Sequence, residues 1–369
     1  MSYRIAYLMH VDWNWIKQRP HFLAEKLSDL YKVDLFYVKK YTDNNSIKNS
    51  RASSLKQIET LKKVPMSARY RLLRMAETAI NHNKLKQIYN GDYTVIWITS
   101  PILLQFIDIS RLNNSIIVYD CMDDVMGFPQ KREIKDFIYG LEQQLIQRAD
   151  FIFASSANLK LKMKERGSGD NVYVVNNAIE RQSVFQHDIQ YTNLAERKKL
   201  FSITYFGTIG EWVDFEAILE VVNTFDDVEI VLYGPKEIEI PSHPRIQYRG
   251  TVKHEELFNH CQMADAFIMP FKINELILSV DPVKVYEYIA LHKPTIVVKY
   301  QETIKFNDYA YLYSNNNDLV NIVRELLQEP RTKSSKEATM NFINNNGWDE
   351  RIVEVQTIIQ KYIERNNHF

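Results

Sequence analysis

At 369 residues the chain is too long for one ordinary core and suits two domains of roughly 150–180 residues each. Apolar residues make up 45% and charged residues 25%, an ordinary globular balance. Lysine plus arginine equals aspartate plus glutamate, 46 against 46, so no global field argues for a nucleic-acid partner. Cys121 and Cys261 lie far apart and outside any metal-ligand spacing, a usage that fits a reducing cytosol rather than a disulfide scaffold. The first residues enter a strand pattern without the apolar run of a signal peptide. No segment reaches the roughly 18–20 uncharged apolar residues that span a bilayer. A cytoplasmic protein is expected, with any membrane contact peripheral.

Short β-rich runs alternate with helical runs, the pattern of parallel sheets wrapped by helices. The first series of strands is expected at 3–9, 33–38, 94–99, 116–119, 151–154 and 172–175, with helices at 19–30 and 133–148. A second series follows at 202–206, 229–233, 246–248, 266–269 and 295–298, with helices at 214–223, 254–261 and 283–291. The break between them, about 181–200, is polar and charged. Two Rossmann-like domains are expected, 1–183 and 184–349. A final amphipathic helix, within 350–369, carries Ile352, Val353, Val355, Ile358, Ile359, Tyr362 and Ile363 at helical spacing and closes a domain.

The stretch 48–87 breaks the charge balance. It holds Lys48, Arg51, Lys56, Lys62, Lys63, Arg69, Arg71, Arg74, Lys84 and Lys86 against Glu59 and Glu77, a net +8 that the rest of the chain offsets. Leu72, Leu73, Met75, Ala76, Ala79 and Ile80 are interleaved with these cations. Such a basic amphipathic segment can lie on an anionic membrane surface, and a solvated helix and loop would read the same way.

Several segments carry chemistry. Arg19 and His21 lie after the first strand, where an open α/β sheet presents ligand groups, although a helix cap and surface hydrogen bonds would also use them. Asp120, Asp123 and Asp124 follow another strand. They suit a general base with a raised pKa, acceptor orientation, helix capping or, ranked below these, a divalent cation. Gly207, Thr208 and Gly210 form a strand–glycine loop–helix passage that can cradle phosphates through backbone amides. Asp281 and Pro282 mark a helix start with Pro282 just inside it. The amides there favour an anion such as a diphosphate, Lys284 adds a positive charge, and Glu287 one turn on can accept from ribose hydroxyls.

These segments together resemble the GT-B nucleotide-sugar glycosyltransferases, and among them the bacterial enzymes that build cell-surface polysaccharide, of the teichuronic-acid type. The likeness runs over nearly the whole chain: Gln18-Arg19-Pro20-His21, Tyr119-Asp120 with Asp123-Asp124, and Ser279, Pro282, Lys284, Glu287-Tyr288 and Lys293-Pro294. It implies two Rossmann-like domains facing across a cleft, with the last helix returning to the first domain. The first would take an acceptor, and the second a nucleotide-sugar donor. By resemblance Glu287 binds ribose, the backbone near Val252 meets the base, and the diphosphate faces the Gly207 loop. A glutamate that the larger retaining family carries would fall at Ser279, with Glu275 as a substitute. Where many relatives have Arg and Lys after the glycine loop, this chain has Trp212 and Asp214, which shifts phosphate charge to Lys284.

The expected activity is sugar transfer to a hydroxyl of a glycan, often lipid-linked, in bacterial surface polysaccharide synthesis. If the reaction inverts, Asp123 or Asp124 is the expected catalytic base; if it retains, these carboxylates position the acceptor or the donor sugar. No metal and no cofactor beyond the donor substrate are expected. A nucleotide-sugar epimerase of the same shape and a catalytically silent scaffold subunit stay open. Single-stranded nucleic acid would need more aromatic and basic residues on one face than the chain offers.

Overall fold

A computed structural model describes residues 3–15, 17–40, 55, 57–67, 69–112, 115–181, 200–252 and 260–366. The chain divides into two compact units, Met1–Asn176 with Arg351–Phe369, and Asn177–Glu350.

In unit 1 the described strands are β1 (Arg4–Met9), β2 (Lys32–Lys40), β3 (Gln57–Lys63), β4 (Val95–Ile98), β5 (Ile116–Cys121), β6 (Phe151–Ala154) and β7 (Val172–Val174). They form one parallel sheet in the order β3-β2-β1-β4-β5-β6-β7. Every position of β4 and β6 is buried, as expected of parallel strands covered on both faces. The helices are α1 (Arg19–Leu30), α2 (Arg71–Ile80), α3 (His82–Asn90), α4 (Arg132–Arg148) and α5 (Ala157–Glu165). Leu8, Ile96, Ile98, Ile117, Tyr119 and Ile152 fill the core on one sheet face.

Unit 2 repeats the plan with β8 (Phe201–Phe206), β9 (Val228–Tyr233), β10 (Ile246–Tyr248), β11 (Ala266–Met269), β12 (Thr295–Val298) and β13 (Tyr311–Tyr313). Their order is β10-β9-β8-β11-β12-β13, again all parallel. The described helices are α6 (Phe215–Thr224), α7 (Val283–Ala290), α8 (Asn316–Gln328) and α9 (Lys336–Asn345). A last helix, α10 (Trp348–Asn366), starts in unit 2 and continues among the residues of unit 1. There the Tyr362 ring meets Phe151 at 4.7 Å, its hydroxyl donates to Asp150, and Gln356 donates to Tyr31.

Three expectations shift. The unit boundary lies at 176/177, earlier than 183, because Asn177 binds Asp281 and Ile179 bridges Gly347. The basic stretch 48–87 contains an edge strand, β3, which its charges concealed; residues 48–54, 56 and 68 lie outside the described residues. The three-residue edge strand β13 also escaped the sequence reading. Of the expected helix 254–261, residues 254–259 lie outside the described residues, as do residues 182–199 of the expected break.

Candidate active site

An open parallel sheet gathers ligand groups at the carboxyl ends of its strands, where strand order reverses. In unit 1 that point falls between β1 and β4, and in unit 2 between β8 and β11. The sequence-predicted residues sort to these two edges.

In unit 1, Arg19 and Asp120 form a pair buried to 2% and 0% exposure. The Arg19 Nε and Nη2 both donate to Asp120 Oδ1, at 2.9 and 2.8 Å, while Nη1 donates to the Val175 carbonyl at 2.7 Å. One guanidinium therefore ties the start of α1 to the ends of β5 and β7. Neither reaches solvent in this arrangement, so the pair holds the strand ends and the helix start together. His21 also turns inward. It is fully buried, its Nδ1 accepts from the Gln18 amide at 3.1 Å, and its Nε2 lies 3.1 Å from the Asp12 carbonyl. That pattern suits the neutral tautomer with the proton on Nε2, which holds the loop before α1 closed.

Asp124 and Asp123, adjacent in sequence, have opposite environments. Asp124 is 3% exposed and accepts from Lys162 Nζ at 2.9 Å and Arg166 Nη2 at 2.6 Å. Burial disfavours its charge, but the hydrogen bonds from these two cations outweigh it and hold the carboxyl below the usual range. Arg166 also donates to buried Glu142 at 3.0 Å, and Glu142 accepts from Tyr119. A carboxylate so committed is a poor proton acceptor, which corrects the reading of Asp124 as a base.

Asp123 is partly exposed. Desolvation, with the charges of Asp120 and Asp124 nearby and against the pull of Arg19, pushes its carboxyl up to about 6. The loop on either side is pinned: the Ser155 hydroxyl donates to the Met122 carbonyl at 2.8 Å, and Asp124 is anchored as above. Between two fixed points sits one carboxyl that titrates near neutrality, the property a general base needs. Sequence reasoning missed the anchors Lys162, Arg166 and Ser155, which lie on other elements. It also missed His10 at the end of β1, whose Nδ1 lies 2.8 Å from the Thr99 hydroxyl and which burial holds at about 4, neutral at physiological pH.

In unit 2, three strand-end loops meet through their backbones. The Gly207 amide donates to Tyr233, and the Gly234 amide donates to Gly250. Gly234 has φ +134°, and a Cβ there would overlap the Gly207 carbonyl. Gly207 is itself at φ +155°. Thr208 accepts from the Tyr205 hydroxyl through its carbonyl at 2.7 Å, and Gly210 lies under the Trp212 ring. Val252 packs partly against the unit 2 core.

α7 lies against the same loop. The Tyr288 hydroxyl donates to the Phe206 carbonyl at 3.1 Å and accepts from its amide at 3.2 Å, while Lys284 Nζ stands 5.2 Å from the Phe206 ring centre. Lys284 and Glu287 form an ion pair of 2.8 Å, one turn apart, with Lys284 about one-third exposed. Pro282 occupies the N-cap position rather than the first helical position, and no side chain caps the α7 amides. Asp281, expected beside that helix start, is instead a buried hub that accepts from Asn177, Tyr286 and Lys305. The opposite holds at α6, whose first amides are capped by the Asp214 carboxylate. The Asp214 carboxylate therefore already occupies the α6 start, whereas no side chain occupies that of α7. Ser279 is buried, with its hydroxyl 3.4 Å from the Glu275 carbonyl, and Glu275 is exposed. Among the described residues, no group of three or more His, Cys, Asp or Glu is disposed to hold a metal ion.

Comparison with known proteins adds to this geometry. No protein-family model matches the sequence. The chain is 24% identical over 298 residues, 74% of each chain, to a Bacillus subtilis (strain 168) protein, TuaH, whose name assigns it to teichuronic acid biosynthesis as a glycosyltransferase. Among solved structures it is similar to sucrose-phosphate synthase from Thermosynechococcus elongatus, with TM-score 0.71, 14% identity and coverage of 98% of this chain and 100% of that one. HepE from Anabaena, solved with UDP and glucose, gives 0.60 at 13% identity over 98% and 100%. The E. coli trehalose-6-phosphate protein bound with UDP-2-fluoro glucose gives 0.68 at 11% over 96% and 98%. The fold is GT-B, with two Rossmann-like units in one chain.

Proposed function

We propose that this protein is a glycosyltransferase that moves a sugar from a nucleoside-diphosphate donor to a hydroxyl of a glycan acceptor. The observation that carries the reading is the Lys284–Glu287 pair at the uncapped start of α7, packed against the Gly207 loop at the reversal point of the unit 2 sheet. Similarity to TuaH and to GT-B structures solved with UDP and glucose supports it.

In this reading the α7 amides and Lys284 receive the diphosphate and Glu287 accepts from ribose hydroxyls. Asp123 takes the proton of the acceptor hydroxyl as its oxygen bonds to the anomeric carbon. The bond from that carbon to the diphosphate breaks, and the electron pair leaves with the diphosphate, stabilised by the amides and Lys284. In this reading the diphosphate charge is met by the α7 amides and Lys284. TuaH is named for teichuronic acid biosynthesis, and we propose synthesis of a surface polysaccharide on a lipid-linked acceptor as the setting for this chain.

The test is a donor titration on Glu287→Ala alongside a nucleotide-release assay with and without acceptor. Losing hydrogen bonds to a charged acceptor costs about 1.5–3 kcal/mol, so donor affinity should fall roughly 10- to 150-fold while the fold stays intact. Affinity within twofold of the wild type removes Glu287 from the site. Turnover of donor alone to an epimer would replace transfer as the reaction.

A further inference from the structure

α2 is inside out. Leu72, Met75, Ala76, Ala79 and Ile80 recur at the i, i+3, i+4, i+7, i+8 spacing of a single helical stripe, which in a globular protein ordinarily faces the core. Here all five are exposed, Leu72 to 79% and Met75 to 60%, and the residue that α2 buries is an acid, Glu77. The Glu77 carboxylate accepts from the Val64 amide and the Ser67 hydroxyl, both at 2.7 Å, so the helix is held to its unit by a polar anchor. The apolar surface continues beyond the stripe. Met66 and Tyr70 are exposed just before α2, and Arg74 stacks on Phe137 of α4, a helix that also exposes Ile134 one turn earlier.

Charge and position both restrict what can cover this surface. Residues 64–80 contain one carboxylate, the buried Glu77, whereas Arg69 and Arg71 are exposed at the start of the helix. The connections into α2 and α4 leave the carboxyl ends of β3 and β5, the edge that also presents Asp123. An apolar stripe flanked by cations, on the edge that carries the acceptor-side carboxylate, fits the boundary of an anionic bilayer. We infer that α2 docks unit 1 on an anionic lipid surface, with the Leu72–Met75–Ile80 stripe in the acyl boundary and Arg69 and Arg71 on headgroups. This gives the proposed acceptor its class, a glycan carried on membrane lipid, and to that extent rests on the function proposed above.

The experiment separates the two. The full chain is mixed with vesicles of neutral phosphatidylcholine or of phosphatidylcholine with phosphatidylglycerol, and binding is read by co-sedimentation. Binding should require the anionic lipid and weaken with salt. It should fall about tenfold or more in Leu72→Ser/Met75→Ser and in Arg69→Gln/Arg71→Gln, both sets being exposed. Circular dichroism and unaltered nucleotide release with a water-soluble acceptor confirm that each variant is folded. Equal binding to neutral vesicles, no binding to either, or a dimer that the Leu72→Ser/Met75→Ser variant dissociates overturns the lipid assignment. Vesicle binding without any sugar transfer would instead sink the proposed activity and leave the docking surface standing.

Discussion

Two adjacent aspartates show how much a residue's chemistry depends on what other elements bring to it. Asp123, with its carboxyl pushed up to about 6 by burial first and by Asp120 and Asp124 next, costs stability when ionised. For a raised carboxylate the sign runs against the folded state as pH rises from the unfolded value near 4 through about 6. Asp123→Asn should therefore leave the melting temperature at pH 7 unchanged or higher while cutting sugar transfer ~100-fold with donor affinity intact. Wild-type turnover should fall as pH drops below about 6, and the residual activity of the variant should lose that limb. Asp124 has the opposite sign, since its depressed carboxyl contributes stability that is present above the usual carboxylate range and lost as pH falls beneath it. Asp124→Asn leaves Lys162 and Arg166 half-neutralised and should cost about 3 kcal/mol, read by urea unfolding. A melting temperature that falls for Asp123→Asn and holds for Asp124→Asn would invert this assignment.

At the scale of elements, the proposed donor side in unit 2 depends on backbone approach more than on side chains. The loops after β8 and β9 close on each other at Gly207 and Gly234, where the positive φ and the neighbouring carbonyl exclude a Cβ. Gly234→Ala should lower stability by about 1–3 kcal/mol and weaken donor binding with it, because relief of the overlap must push the Gly207 loop away from Lys284. Calorimetry and a donor titration check the pair, and a stable variant with intact affinity would separate that loop from the site. The same scale explains α2. Its periodicity was legible, but periodicity names a stripe without saying which side the fold covers, and Glu77 decided that by its bonds to Val64 and Ser67.

At the scale of the molecule, each unit has its own apolar core, so each should melt with its own cooperativity. A nucleotide-sugar donor at 100 times its Kd stabilises the unit that binds it by about 2.7 kcal/mol. In differential scanning calorimetry the donor should raise one transition alone, that of unit 2. Ending the chain at Glu350 removes the contacts of Gln356 and Tyr362 with Tyr31, Asp150 and Phe151, and should lower the other transition. A donor shift shared equally by both transitions would contradict assignment of the donor to unit 2.

The sequence by itself determined the two parallel α/β series, most strand and helix positions, and the segments at which chemistry gathers, because hydrophobic period and strand–loop–helix punctuation are local signals. Local signals also marked Lys284 and Glu287 as one turn apart on a helix. Which carboxylate titrates near neutrality, which helix start remains open to an anion, and why Arg19, His21 and Asp120 turn inward were decided only by tertiary structure. Each depends on partners far away in the chain: Lys162 and Arg166 for Asp124, Lys305 and Asn177 for Asp281, Val175 for Arg19. Electrostatic environment is set by distance in space, and a sequence records only distance along the chain.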